Sequence, residues 1–197
     1  MDPKFEPLQK FYQSFIPDIS EEEFKFVSSL HEIKSFKKGD LLLSPGMDCS
    51  WVGFVNAGIL RVYHSVEGKE YINQFYFPGS IVTEITSFNT LNPSRMYIDV
   101  VKDCEILELS RASLVRMQTE LPKIMNMVSA YTTKVLIAYL DRYSSLLLDS
   151  AETRYLKLLR ERPELVQQVP LYMVASYLGI TPEALSRVRN KIAHTGA

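Results

Sequence analysis

Residues 174–188 (Val174-Ala175-Ser176-Tyr177-Leu178-Gly179-Ile180-Thr181-Pro182-Glu183-Ala184-Leu185-Ser186-Arg187-Val188) hold the densest set of side chains able to read another molecule. A small residue where two helices cross (Ala175), followed four positions later by a turn glycine (Gly179), is the spacing of a helix-turn-helix. Thr181 caps the second helix, Pro182 opens it, and Glu183 complements its positive end. Leu185, Val188 and Ile192 form a buried stripe on that helix. At about 100° per residue, Glu183, Arg187 and Asn190 then face the other way, flanked by Ser186 and Lys191. Arg187 can offer two donors to a guanine edge, and Glu183 can accept from a cytosine amine. Lys191 is placed for a phosphate. The expected partner is double-stranded DNA.

Other chemistries find less support. His31, His64 and His194 are dispersed, with no pair at metal-ligand spacing, so no metal site and no catalytic residues are expected. Cys49 falls in a turn region and Cys104 at a strand start; two thiols form neither a disulfide framework nor a four-thiolate cluster. Trp51, Phe54 and Tyr63 are most simply core aromatics. In a chain of 197 residues, 22 Lys/Arg nearly balance 23 Asp/Glu, but unevenly. Residues 150–197 carry seven bases and four acids, leaving an acidic body and a basic tail. No apolar run approaches the roughly 20 residues that cross a bilayer, and Met1 to Glu6 lacks the basic lead of a signal peptide. A cytoplasmic protein with no membrane partner is expected.

The elements that must position these residues can be read in order. The first thirty residues look helical, with Ser20-Glu21-Glu22-Glu23 as a capping box before Phe24, Val27 and Leu30. From about His31 to Ser110, short Val/Ile/Tyr/Phe runs alternate with turn signals: Lys38-Gly39-Asp40, Pro45-Gly46, Asn56-Ala57-Gly58, Glu67-Gly68-Lys69 and Pro78-Gly79. That is the pattern of a compact antiparallel β-roll or sandwich, jelly-roll-like. Arg111 to Glu120 is a short helix; from Pro122 to about Leu148 nothing breaks a longer one. Ile124, Val128, Tyr131, Val135, Ala138, Arg142 and Ser145 recur along it at spacings of four and three, a heptad seam suited to a homodimer, with a core helix of a single domain as the plainer alternative. A second stripe (Leu136, Leu140, Tyr143, Leu147) faces elsewhere. Asp149-Ser150-Ala151-Glu152 caps a further helix that Arg162-Pro163 ends, ahead of two short helices, Leu171 to Leu178 and Pro182 to about Ala193. The expected fold is α+β: a β-roll sensor over residues 1–121, a dimerisation helix over 122–149, and a helix-turn-helix over 150–197.

With these residues in this order, nearly the whole chain resembles the catabolite activator and fumarate–nitrate regulator (Crp-Fnr) family of bacterial transcription factors. Lys38-Gly39, Pro45-Gly46, Gly58, Gly68 and Pro78-Gly79 fall where that family's cyclic-nucleotide-binding roll has its turns. The resemblance implies a homodimeric DNA-binding regulator, in which Glu183 and Arg187 match base-contacting residues and Pro182 replaces a third. It also implies RNA polymerase as a partner. The ligand segment would be Gly79 with Val82-Thr83-Glu84 and Ser94-Arg95-Met96, in which Glu84 would accept from a ribose and Arg95 would neutralise a cyclic phosphate. Thr83 stands where the family has a glycine, and Met96-Tyr97 where it has a small pair; both argue against close approach of a cyclic nucleotide. Counting back from Ser110 would align Ser94 with the family arginine instead of Arg95. The family's oxygen-sensing branch needs four cysteines and is excluded. The family's two-stranded wing after the recognition helix has little room before Ala197, so a truncated or absent wing is expected. Two alternatives accompany this reading. One is a sensor or interaction module that has kept the fold without binding DNA. The other is a cupin-like metal enzyme, for which His64 lacks the neighbouring histidine and glutamate.

Overall fold

The computed structural model describes residues 2–195. In chain order, a 3-10 turn (Pro3–Phe5) precedes α1 (Glu6–Gln13), α2 (Glu21–Ser29), β1 (His31–Phe36), β2 (Leu41–Leu43), β3 (Trp51–Val66), β4 (Lys69–Tyr76) and β5 (Ile81–Val82). Then follow α3 (Ile85–Thr90), β6 (Tyr97–Ser110), α4 (Arg111–Glu120), α5 (Ile124–Leu148), α6 (Ala151–Glu161), α7 (Pro163–Gln168), α8 (Leu171–Tyr177) and α9 (Pro182–Thr195). The strands form an antiparallel six-stranded sheet in the order β1-β6-β3-β4, with β2 on β6 and β5 on β3. The fold is α+β. Two compact units divide the chain: Met1–Val62 with Phe75–Lys134, and Tyr63–Gln74 with Val135–Ala197.

The first unit is built on strand alternation. In β6, Ile98, Val100, Cys104 and Ile106 join one apolar cluster with Leu43, Val55, Leu60 and Val82. Leu107 and Leu109 join another, with Leu8, Tyr12, Phe24, Phe54 and Ile124. Successive side chains point to opposite faces of a strand, so one strand serves both clusters. Along β3 the interior positions change parity between Val55 and Leu60. Gly58 lies between them at φ +86°, and a Cβ there would come within 2.2 Å of the Asp103 carbonyl oxygen, so only glycine fits. The capping box is formed in both directions: Glu23 N–H donates to Ser20 Oγ (3.2 Å), and Ser20 N–H donates to Glu23 Oε2 (2.7 Å).

Two helices lie outside the sequence-based expectation. Ile85-Thr86-Ser87-Phe88-Asn89-Thr90 is rich in β-formers, yet it is helical because Glu84 caps it, accepting from the Thr86 and Ser87 amides at 2.9 Å. Pro163 opens α7 at its first turn, where the missing N–H costs nothing.

In the second unit the apolar centre is smaller. It is built from Tyr155, Leu158, Leu165, Val174, Ala175, Leu178 and Leu185, among others. Ser150 N-caps α6 by accepting from the Thr153 amide at 3.1 Å.

Candidate functional site

The helix-turn-helix is present as α8, a four-residue turn and α9. Its turn is a Schellman motif: Ile180 N–H donates to Ala175 O (3.0 Å) and Gly179 N–H to Ser176 O (3.0 Å), with Gly179 at φ +69°. Ala175 is fully buried, as the close crossing requires. Thr181 Oγ1 accepts from the Ala184 amide at 3.2 Å, which caps α9. Leu185 is buried and Val188 and Ile192 are half-buried, while Glu183, Ser186, Arg187, Asn190 and Lys191 are exposed. The helical wheel is therefore realised with its polar face exposed. Glu183's own backbone N–H and the Thr181 hydroxyl hold its carboxyl below the usual value, and Arg187 adds a smaller effect. Lys191 forms an ion pair with Glu152 of α6, its side chain still 62% exposed.

In the roll, the expected ligand residues are engaged locally. Glu84 is 2% exposed, and both its carboxylate oxygens accept from the first amides of α3. Arg95 is exposed, while its neighbour Ser94 is buried and exchanges hydrogen bonds with Met96 through its hydroxyl (3.0 Å). Thr83 donates its hydroxyl to Trp51 O (2.8 Å), and Met96 packs against the strand cluster of the roll. Gly79 adopts φ +88° and its N–H donates to Val55 O at 2.9 Å. Glu84 and Arg95, paired by sequence separation, are thus not a pair of free ligand groups. The buried arginine of the first unit is Arg61, held in a bidentate ion pair by Asp99 (2.7 Å for both bonds).

Three residues of the seam expected to meet a second copy are packed within their own chain. Ile124 is fully buried in the cluster with Leu8 and Phe24, and Val128 packs against that cluster. Tyr131 lies against Phe11 and Phe15, at 5.5 and 6.1 Å between ring centroids, and its hydroxyl accepts from the Ile81 amide (3.1 Å). Val135 is half-buried and Ala138 is exposed. Over Ile124, Val128 and Tyr131, this stripe is therefore core of its own chain. The apolar stripe that α5 leaves exposed is the other one: Leu136 56%, Leu140 56%, Tyr143 63% and Leu147 65%. Two apolar stripes at helical period cannot be told apart until one of them finds a neighbour.

Ser176 and Arg142 organise the second unit. Ser176 on α8 donates its hydroxyl to Glu70 O (2.8 Å) and accepts from Ile72 N–H (3.1 Å). Arg142 on α5 donates to Tyr177 O (2.8 Å) and Ile72 O (3.3 Å), its guanidinium 3.7 Å from the Tyr177 ring centroid. An arginine in a heptad seam was the one sequence signal of this role. Among the described residues, no group of three or more His, Cys, Asp or Glu could hold a metal ion, and no helix is long and apolar enough to cross a membrane.

Residues 33–120 match the family model of the cyclic nucleotide-binding domain. The fold of the chain is that of Crp-Fnr transcription regulators. FixK2 from Bradyrhizobium japonicum superimposes with a TM-score of 0.74 at 20% identity, over 84% of this chain and 86% of that one. CLP, the c-di-GMP-responsive global regulator of Xanthomonas campestris, gives 0.70 at 18% identity, over 90% and 93%. The catabolite activator protein of Thermus thermophilus gives 0.55 at 20% identity, over 92% and 87%. No curated protein sequence matches the chain.

Proposed function

We propose that this protein is a cytoplasmic DNA-binding transcription regulator that works as a homodimer. The observation that carries this reading is the solvent-facing row Glu183, Ser186, Arg187 and Asn190 on a helix whose opposite face is anchored by Leu185. Two such helices related by a two-fold axis enter successive major grooves about 34 Å apart, so the operator is an inverted repeat. Arg187 reads one guanine in each half-site and Glu183 a cytosine. Thr181 caps the reading helix, and Lys191 exchanges Glu152 for a phosphate.

The dimer forms through Leu136, Leu140, Tyr143 and Leu147. Their exposure and their four-three-four spacing fit a second copy of the same helix, each residue meeting its equivalent across the axis. A small ligand in the roll gates the protein. Because the Glu84 carboxylate already serves α3, that ligand is not held in the way the sequence resemblance implies, and cyclic AMP is a poor candidate.

The test is selection of bound sequences from random duplex DNA, followed by titration of the native protein and Arg187→Ala against the selected site and a scrambled duplex. Loss of Arg187 costs about 1–3 kcal/mol and relaxes one position per half-site. A native protein that binds both duplexes equally at every salt concentration refutes the reading. Sedimentation of Leu140→Asp gives a monomer where the native chain gives a dimer, because the carboxylate would be buried unpaired.

A further inference from the structure

Within the second unit, α5, α6, the end of α8 and Gln74 of β4 line a half-open cavity of about 450 Å3. That volume is in the usual range for a small-molecule site. Four cations line it: Arg142, Arg154, Lys157 and Arg162. All four are half-buried, whereas the two lining carboxylates, Asp141 and Glu161, are exposed, and Glu161 pairs with Arg160 at 3.1 Å. Among the described residues, no carboxylate lies within 4.0 Å of a charged nitrogen of Arg142, Arg154 or Lys157.

The structural duties of these residues account for only part of them. Arg142 uses Nη2 on the Tyr177 and Ile72 carbonyls. Arg154 uses Nε on Leu178 O (3.0 Å) and Nη1 on Asp149 O (2.6 Å). Carbonyls satisfy hydrogen bonds without cancelling charge, and each arginine keeps further donors. Burial is the main effect disfavouring the charged form of Arg142, and the nearby Arg162 adds to it. Lys157 has no hydrogen-bonding partner among the described residues. The remaining walls are Ala138, Leu146, Leu158, Leu178 and the Tyr139 and Tyr177 side chains, with Gln74 and Ser145 as neutral polar groups.

We infer that this cavity binds a small phosphate monoester carrying a flat organic body. Arg162 is offset by Glu164 (3.6 Å) and Glu161 by Arg160, so Arg142, Arg154 and Lys157 against Asp141 call for about two negative charges, which is what a phosphate monoester carries near pH 7. Guanidinium forks match phosphate oxygens, and the tyrosine and leucine walls take the organic body. The inference stands apart from the DNA-binding reading, since it concerns no residue of α9.

The experiment uses the full chain with three probes: pyrophosphate, adenosine 5′-monophosphate and uncharged adenosine. Melting temperature and calorimetric titration are the readouts. The two phosphate probes raise the melting temperature with concentration, and adenosine does not. Lys157→Gln, which removes no capping bond, leaves the unliganded melting temperature in place and weakens adenosine monophosphate about tenfold. Arg95→Ala leaves that binding unchanged, which places it outside the roll. Absence of stabilisation by both phosphate probes overturns the inference. So does equal binding by adenosine, binding indifferent to Lys157→Gln, or binding lost with Arg95→Ala.

Discussion

The two compact units of this chain are held by different forces. The first closes on two apolar clusters supplied from both faces of β6, with Phe24, Phe54, Phe75 and Ile106 almost wholly excluded from water. The second buries fewer large side chains and is tied by polar contacts to carbonyls, from Arg142, Arg154 and Ser176. Apolar burial is non-directional and adds with area, so it makes a stable platform. A hydrogen bond from a charged group depends on geometry and on competition from solvent and ligands. The unit that carries the reading helix therefore rests on the contacts that are easier to rearrange, while the roll supplies the more stable platform.

Four substitutions or titrations can break or sharpen that contrast. The largest effect belongs to Phe54→Ala, which empties a site against the Phe11 ring, 5.4 Å away between centroids. It costs about 3–5 kcal/mol of unfolding free energy, measured in urea. Arg142→Met keeps the helix but removes the charged donor to the Tyr177 and Ile72 carbonyls, for about 1–3 kcal/mol. Hydrogen exchange should place that loss in α8 and spare the amides of β6. If Arg142→Met costs as much as Phe54→Ala, or loosens β6 equally, the division into an apolar platform and a polar-tied unit is wrong.

Smaller still is Thr181→Ala, which removes the cap from α9 and costs about 1 kcal/mol. Its signature is a frayed first turn of α9, seen as faster amide exchange there, with weaker DNA binding following from it. The smallest effect is a pH dependence. Burial lowers the pKa of His31 from the usual 6.5, with the Val27 carbonyl bond opposing this in part. The folded state thus takes up its proton less readily than the unfolded chain, so His31 costs nothing above pH 6.5 and destabilises as pH falls below it. His31→Gln should flatten the stability curve on that acidic side; an unchanged slope would show that His31 does not contribute to it.

Much of this architecture was legible in the linear chain, and the legible parts share a cause. The capping box at Ser20, the caps at Ser150 and Thr181, and the left-handed glycine at 179 all act within a few residues of themselves. Local geometry needs only local residues, so these signals survive without a fold. The helix-turn-helix belongs to the same class, because its turn, its cap and its buried stripe lie within fifteen positions of one another.

What escaped the sequence was the choice between competing partners for one side chain. Glu84 had the type and spacing of a ligand carboxylate, but the amides of α3 claimed both its oxygens. The α5 stripe through Ile124, Val128 and Tyr131 had the spacing of a dimer seam, but Phe11, Phe15 and the core cluster cover it and leave Leu136, Leu140, Tyr143 and Leu147 outside. Arg142 stood in the same seam and proved to cap α8, 35 residues further on. Residue type and periodicity state what a side chain can do. Which of those contacts forms is decided by the competition for burial and hydrogen bonding among all segments at once, and that competition exists only in the folded chain.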